Sequence, residues 1–258
     1  MFSVLRRSQA SRLTKHFDRW LLPLLVVGVN FMALVWVPAD GEMGESQRIV
    51  YVHVAMAWLS LLALVIATLY GFAWWSRRNP RSDDAAQAAV ELGWLCSSLT
   101  LVTGSMWAHE AWGTWWTWEP RLTTMFGLWC VYSATLVVRS AIRDTQQRAN
   151  ATAILSMLGM LDVPLIVMAT RWFRGLHPVA VSMDPVMKWT LLSYVTVCSL
   201  LVARLWNTRA RQLRFCRRVE RRTGLASFAD IIDAPPVAGR RRIPCSPVSG
   251  GQRVSSIH

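Results

Sequence analysis

Residues 52–75 read VHVAMAWLSLLALVIATLYGFAWW. The run holds no Asp, Glu, Lys or Arg, and its apolar residues do not alternate with polar ones. A helix needs about 20 apolar residues to cross the hydrocarbon of a bilayer. Backbone groups in hydrocarbon must satisfy one another, so a stretch that is apolar all round reads as a helix. A barrel strand would alternate.

Five more runs of the same kind flank this one, at 20–38, 88–108, 122–138, 151–170 and 187–206. The expected fold is therefore an all-α membrane protein of six transmembrane helices. Of the 258 residues, 53% are hydrophobic. The membrane domain is expected over 1–206 and a basic tail over 207–258. The tail begins as a stretch with helical character, NTRARQLRFCRRVERRTG (207–224), and ends rich in Pro, Gly, Ser and Arg. That last part cannot bury a core and is expected to be disordered. The first run is too long for a cleaved signal peptide and lacks a small-residue cut site, so it reads as a retained helix.

A net charge of +13 raises nucleic acid as a partner. The placement of the charge argues against it. All but five of the 28 Lys and Arg fall at the N-terminus, in the second loop (Arg77, Arg78, Arg81), in the fourth loop (Arg139, Arg143, Arg148) and in the tail. The five on the other side are Arg48, Arg121, Arg171, Arg174 and Lys188. The positive-inside rule then puts both termini in the cytoplasm, with the lipid bilayer as the main partner. The five cysteines fall within spans or in the tail, so no structural disulfide is expected. There is no Cys-x-x-Cys-His for covalent haem.

The informative chemistry lies in the segments outside the membrane. Residues 111–122 read AWGTWWTWEPRL, with Trp112, Trp115, Trp116 and Trp118 within seven residues. Indole is at home at a membrane interface, and Trp20, Trp36, Trp74 and Trp75 read as such a belt. Belt residues ring a bundle, whereas these four crowd one loop around Gly113 and Glu119. If the segment were helical, Trp112, Trp115 and Trp116 would share a face. His53, His109 and His177 also map to the outer side. Two imidazoles, a broad aromatic surface and the guanidinium groups of Arg48 and Arg121 suit a flat, apolar, dianionic iron ligand. In this reading His53 and His177 are axial ligands to haem iron, the indoles cover the macrocycle, and the arginines pair with its propionates. Hydrogen-bonded interfacial histidines are the plainer alternative. His109 ranks third, because Glu110 beside it makes an ordinary surface pair. Asp162 falls inside the fifth run, where an ionisable group is costly. It reads either as a protonated latch to hydroxyls such as Ser97 and Thr100, or as part of a path through the membrane.

WGTWWTWEPRLT (112–123) resembles the tryptophan-rich signature of haem-handling membrane proteins, which include cytochrome c maturation protein C (haem exporter protein C) and the larger cytochrome c haem lyases. QRIVYVHVAMAW (47–58), LVTGSMWAHEAWGTWWTWEPRLTT (101–124) and RWFRGLHP (171–178) are most similar to the six-helix protein C family. The resemblance spans about 20–206. It implies a protein that is not an enzyme, lies in the bacterial inner membrane, binds haem b at its periplasmic side and presents it to a periplasmic haem chaperone. A small membrane subunit and an ABC-type ATPase and permease pair are the further partners implied. Carried over by motif, His53 and His177 are the axial ligands. Trp107, Trp112, Trp115, Trp116 and Trp118, with Gly113 and Glu119 in the same segment, form the platform, and Arg48 and Arg121 meet the propionates. Three positions depart from the family pattern: Glu119 where Asp is usual, Pro120 where Ala is common, and Ala55 where Pro is usual. A transporter that moves haem or another substrate across the membrane, a lyase and a purely structural subunit are the rival readings.

Overall fold

The structure, a computed structural model, describes residues 20–41, 43–172 and 183–223. The regular elements among these residues are helices: α1 (Leu22–Phe31), α2 (Arg48–Arg77), α3 (Pro80–Trp112), α4 (Pro120–Ala141), α5 (Thr145–Gly159), α6 (Asp162–Trp172) and α7 (Pro185–Thr223). A single bridge, Asp40 to Gly44, is the only β-type pairing described.

Among the described residues, five helical runs are long and apolar enough to cross a membrane: Glu45–Arg77, Pro80–Trp112, Pro120–Ala141, Thr145–Ala169 and Pro185–Glu220. The first expected span appears as α1 extended by a π-helical turn, Met32–Trp36. At 10 plus 5 described residues, it is shorter than the others. The long helices outrun the apolar windows that announce them because local capping decides their ends. Asn79 accepts a hydrogen bond from the Arg81 amide at 3.0 Å and Pro80 fills the first turn, starting α3 eight residues before the apolar run. Asp144 caps α5 through the Gln147 amide at 2.7 Å. The basic stretch after Trp206 continues α7 as helix to Thr223.

Contacts divide the chain after Phe215. Of the second unit, Cys216–His258, the described part is the helical run 216–223, which carries Arg217 and Arg218. The first unit has its main core where α2, α3, α4 and α6 meet, at Leu64, Ala67, Val90, Leu128, Tyr132 and Ile166. A second core joins α1, α2 and α7 through Ala33, Tyr51, Ala55 and Tyr194. Close approach relies on glycine. A Cβ at Gly93 would lie 2.3 Å from the ring of Tyr132, whose hydroxyl donates to the Ser60 carbonyl at 2.6 Å. Arg139 ties α4 to α3 and α5: it forms a two-pronged pair with Asp83 at 2.7 and 2.9 Å and also donates to Gln87 and Thr152.

Two expectations are corrected here. Trp74 is not a belt residue. It is 4% exposed, packs on Ala149 and Ala153, and donates to Asn150 at 3.0 Å. Trp20 and Trp36 do lie exposed. Nor is Asp162 latched to the hydroxyls of α3. Ser97 and Thr100 donate to the carbonyls of Trp94 and Cys96 on their own helix, at 2.9 and 2.8 Å. The Asp162 carboxyl reaches neither: its Oδ2 has no hydrogen-bond partner among the described residues, and it lies beside Gly127 of α4. Asp162 instead opens α6 after a break at Met160 and Leu161. Pro164 explains the break: its ring clashes with the carbonyl four residues back, at Met160, and it has no N–H to give. That carbonyl takes a long 3.4 Å bond from Val163.

Candidate functional site

The two ends of the bundle differ. The start of α2, the end of α3, the start of α4 and α6 come together around one cavity of about 1240 Å³, its open mouth included. Val50, His53, Val54, Ala57 and Leu61 face it from one stripe of α2; Thr100, Leu101, Gly104 and Ser105 from α3; Met125 from α4; and Ile166 from α6. Trp58 of α2, then Trp107, Trp112 and Trp116, with Arg121 and Leu122, complete the lining.

Gly113 shapes this end. It takes φ +71° and closes α3 with its amide on the His109 carbonyl at 2.9 Å. Left-handed backbone is the usual C-terminal stop, and glycine enters it without a Cβ penalty. Consequently Trp112, Trp115 and Trp116 do not lie on one helical face as a continued helix would place them. Residues 114–119 cross as non-helical chain until Glu119, in extended backbone, leads into Pro120 and α4. Ser105 fastens this crossing to α3 by donating to the Trp115 carbonyl at 2.5 Å.

The indoles therefore form walls set at angles. Trp107 and Trp112 meet edge to face at 5.2 Å and 79°. Trp116 stands between the cavity and an outer cleft lined by Trp115, Trp118 and Phe126. Its ring meets Trp118 at 5.5 Å and 80°. Trp115 and Trp118 point outward, and Trp118 is 74% exposed. The buried Nε1 of Trp116 has no hydrogen-bond partner among the described residues. It is a donor left for a ligand's acceptor.

His53 is half-buried, its Nδ1 3.2 Å from the Thr103 hydroxyl. Its ring lies against Gly104, where a Cβ would come within 2.9 Å of His53 Cε1. Arg121 presents a guanidinium to the same cavity. Arg48 lies outside the lining. It pairs with Glu45 and donates to the Ala33 carbonyl at 3.2 Å, joining α2 to the chain after α1. His109 stacks on Trp115 at 4.2 Å and lies 3.7 Å from Glu110, away from the cavity. His177 lies outside the described residues, as do the expected tail beyond Thr223 and the segment before Trp20.

The structure thus brings together His53, Trp107, Trp112, Trp116 and Arg121 and sets Trp115, Trp118 and Arg48 apart from them. Thr103, Gly104 and Ser105, which the functional reading of the sequence passed over, hold the ring and the tryptophan crossing in place. Their signal was present in LVTGS (101–105): two hydroxyls and a glycine one turn before Trp107. The donor set fits haem. It offers an imidazole for the iron, aromatic and aliphatic walls for the macrocycle, and a guanidinium for a carboxylate. No cluster of three or more His, Cys, Asp or Glu for a bare metal ion occurs among the described residues.

Fold and site define a helical membrane protein with an aromatic-walled, imidazole-bearing cavity at one end of its bundle. Residues 5–224 match the Heme exporter protein C family, and the chain belongs to it. Heme exporter protein C of Escherichia coli K12 is 30% identical over 212 residues, 75% of this chain and 84% of that protein. The protein of the same name from Bradyrhizobium diazoefficiens is 35% identical over 157 residues, 60% of this chain and 58% of its own length. That from Rhodobacter capsulatus is 34% identical over 158 residues, 61% and 63% respectively. The aligned region thus spans less than two thirds of the latter two proteins.

Proposed function

We propose that this protein holds haem b at the periplasmic face of the bacterial inner membrane and presents it to a periplasmic haem chaperone during cytochrome c maturation. The observation that carries this reading is the cavity onto which one imidazole, four indoles and one guanidinium open together. The name of its relatives, Heme exporter protein C, agrees. Haem here is cargo. His53 ligates its iron from one side and His177, from the segment before α7, from the other. Trp107, Trp112 and Trp116 enclose the macrocycle, while Trp115 and Trp118 continue the aromatic surface outward, where the chaperone approaches an exposed edge. Arg121 pairs with one propionate, and Arg48, five residues before His53 on α2, serves the other.

We read six spans with both termini in the cytoplasm; the charge pattern supports this orientation, since Arg77, Arg78 and Arg81 flank the α2–α3 turn at the end of α2 far from His53. The chain is a delivery protein, and any ATP use belongs to an ABC-type ATPase and permease pair, assisted by a small membrane subunit.

The test is spectroscopic. Protein purified with its chaperone is expected to show a bis-histidine haem spectrum that weakens in His53→Ala and in His177→Ala. Full haem retention in the double variant would sink the ligand assignment. One observation favours a transporter as the second reading: the buried Oδ2 of Asp162, four residues before Ile166 on α6, has no hydrogen-bond partner among the described residues. Vesicle uptake of haem that is abolished in Asp162→Ala, with binding intact, supports that reading.

A further inference from the structure

The tautomer of a neutral histidine is set by what its second nitrogen bonds. A threonine hydroxyl has one proton to give. Thr103 Oγ1 lies 2.7 Å from the carbonyl of Leu99, on its own helix one turn back. A carbonyl only accepts, so the Thr103 proton is committed to it, with the Thr100 carbonyl, 3.3 Å away, as the lesser acceptor. The Thr103 oxygen then faces His53 Nδ1 at 3.2 Å with lone pairs only. Nδ1 must be the donor, which leaves the ring's own lone pair on Nε2. The next residue of the same helix also confines the ring. The ring packs on Gly104 so closely that a Cβ there would lie 2.9 Å from Cε1, 3.3 Å from Nδ1 and 3.9 Å from Nε2.

We propose that Thr103 is a positioning residue of the haem site: its hydroxyl, bound to the Leu99 carbonyl, fixes His53 as the Nδ1–H tautomer, so that Nε2 is the nitrogen that meets iron. The proposal rests on the reading of His53 as a haem ligand. It adds what fixes the tautomer of this imidazole. A hydrogen bond to the far nitrogen of a ligating histidine orients the ring and raises its basicity, and its loss typically costs about 10–100-fold in metal affinity.

Two measurements test it. The first uses haem-free full-length protein labelled with ¹⁵N-histidine. The chain has five histidines, and the His53 signals are those that vanish in His53→Ala. Wild type and Thr103→Ser are expected to show His53 protonated at Nδ1, while Thr103→Val, of equal size but without the hydroxyl, shifts the proton toward Nε2. A wild-type His53 protonated at Nε2, or one indifferent to Thr103→Val, overturns the proposal. The second measurement is the visible spectrum and haem affinity of the loaded protein. Thr103→Val is expected to lose about tenfold in affinity and part of its low-spin bands, with Thr103→Ser restoring both. If His53→Ala alters the haem spectrum and Thr103→Val does not, the proposal falls alone. If His53→Ala leaves the spectrum unchanged, the ligand reading falls and takes the haem role of Thr103 with it.

Discussion

Gly104→Ala adds one methyl group, and its effect follows from distances in the site. The new Cβ would lie 2.9 Å from His53 Cε1, whereas ordinary contact begins near 3.4 Å, so the imidazole must retreat by about half an ångström. It cannot do so freely, because Nδ1 is bound to Thr103 at 3.2 Å. Retreat from α3 stretches that bond toward ~3.7 Å, outside hydrogen-bond range. Overpacking of this kind costs about 1–3 kcal/mol, and the lost hydrogen bond about 0.5–1.5 kcal/mol more. With about 1.4 kcal/mol per decade of affinity, haem retention is expected to fall at least tenfold. Haem titration of purified protein in detergent measures this, with thermal unfolding as a control for the fold. The decisive comparison is a double-mutant cycle. In a His53→Ala background there is no ring to displace, so adding Gly104→Ala is expected to change haem affinity little. Equal losses in both backgrounds would refute the reasoning, as would wild-type retention in Gly104→Ala alone.

Three other outcomes follow from the same structure. Trp116→Ala, which removes the wall shared by the cavity and the outer cleft, is expected to lower haem retention severalfold, while Trp118→Ala, at a residue 74% exposed, leaves retention near wild type; matched losses would contradict the division of the indoles into inner and outer sets. Asp83→Ala leaves Arg139, 5% exposed, without its carboxylate partner, and is expected to cost about 3–5 kcal/mol in denaturant unfolding, whereas a loss below about 1 kcal/mol would show that the pair is not the brace described. Gly93→Ala drives a methyl into the Tyr132 ring at 2.3 Å and is expected to destabilise the protein by about 1–3 kcal/mol, with Tyr132→Leu in the same chain recovering part of the loss, as read by the unfolding midpoint.

The helices were legible because hydrocarbon demands long unbroken apolar runs, and 52–75 is one. Their ends were less so: Asn79 and Asp144 are ordinary polar residues until their side chains are seen on backbone amides. At the site, residue types singled out His53, Trp107, Trp112, Trp116 and Arg121, and these five line one cavity. What spacing alone obscured was Gly113. A helical wheel assumes the helix continues, and one left-handed residue turns Trp115 and Trp118 away from Trp112. Asp162 was misread because a hydroxyl at the right depth looks like a partner, although the carboxyl lies beside Gly127 of α4 instead. Trp74 was misread for the converse reason: nothing local announces that Asn150, 76 residues later, receives its indole N–H.

The Arg139 brace has a mechanical consequence. It grips α3, α4 and α5 at one end, and Arg121 opens onto the cavity 18 residues earlier on α4, roughly 27 Å away along the helix axis. Since α3 and α4 run on from the brace to the cavity, their spacing at one end is held by Asp83 and Gln87, residues that do not line the cavity at the other.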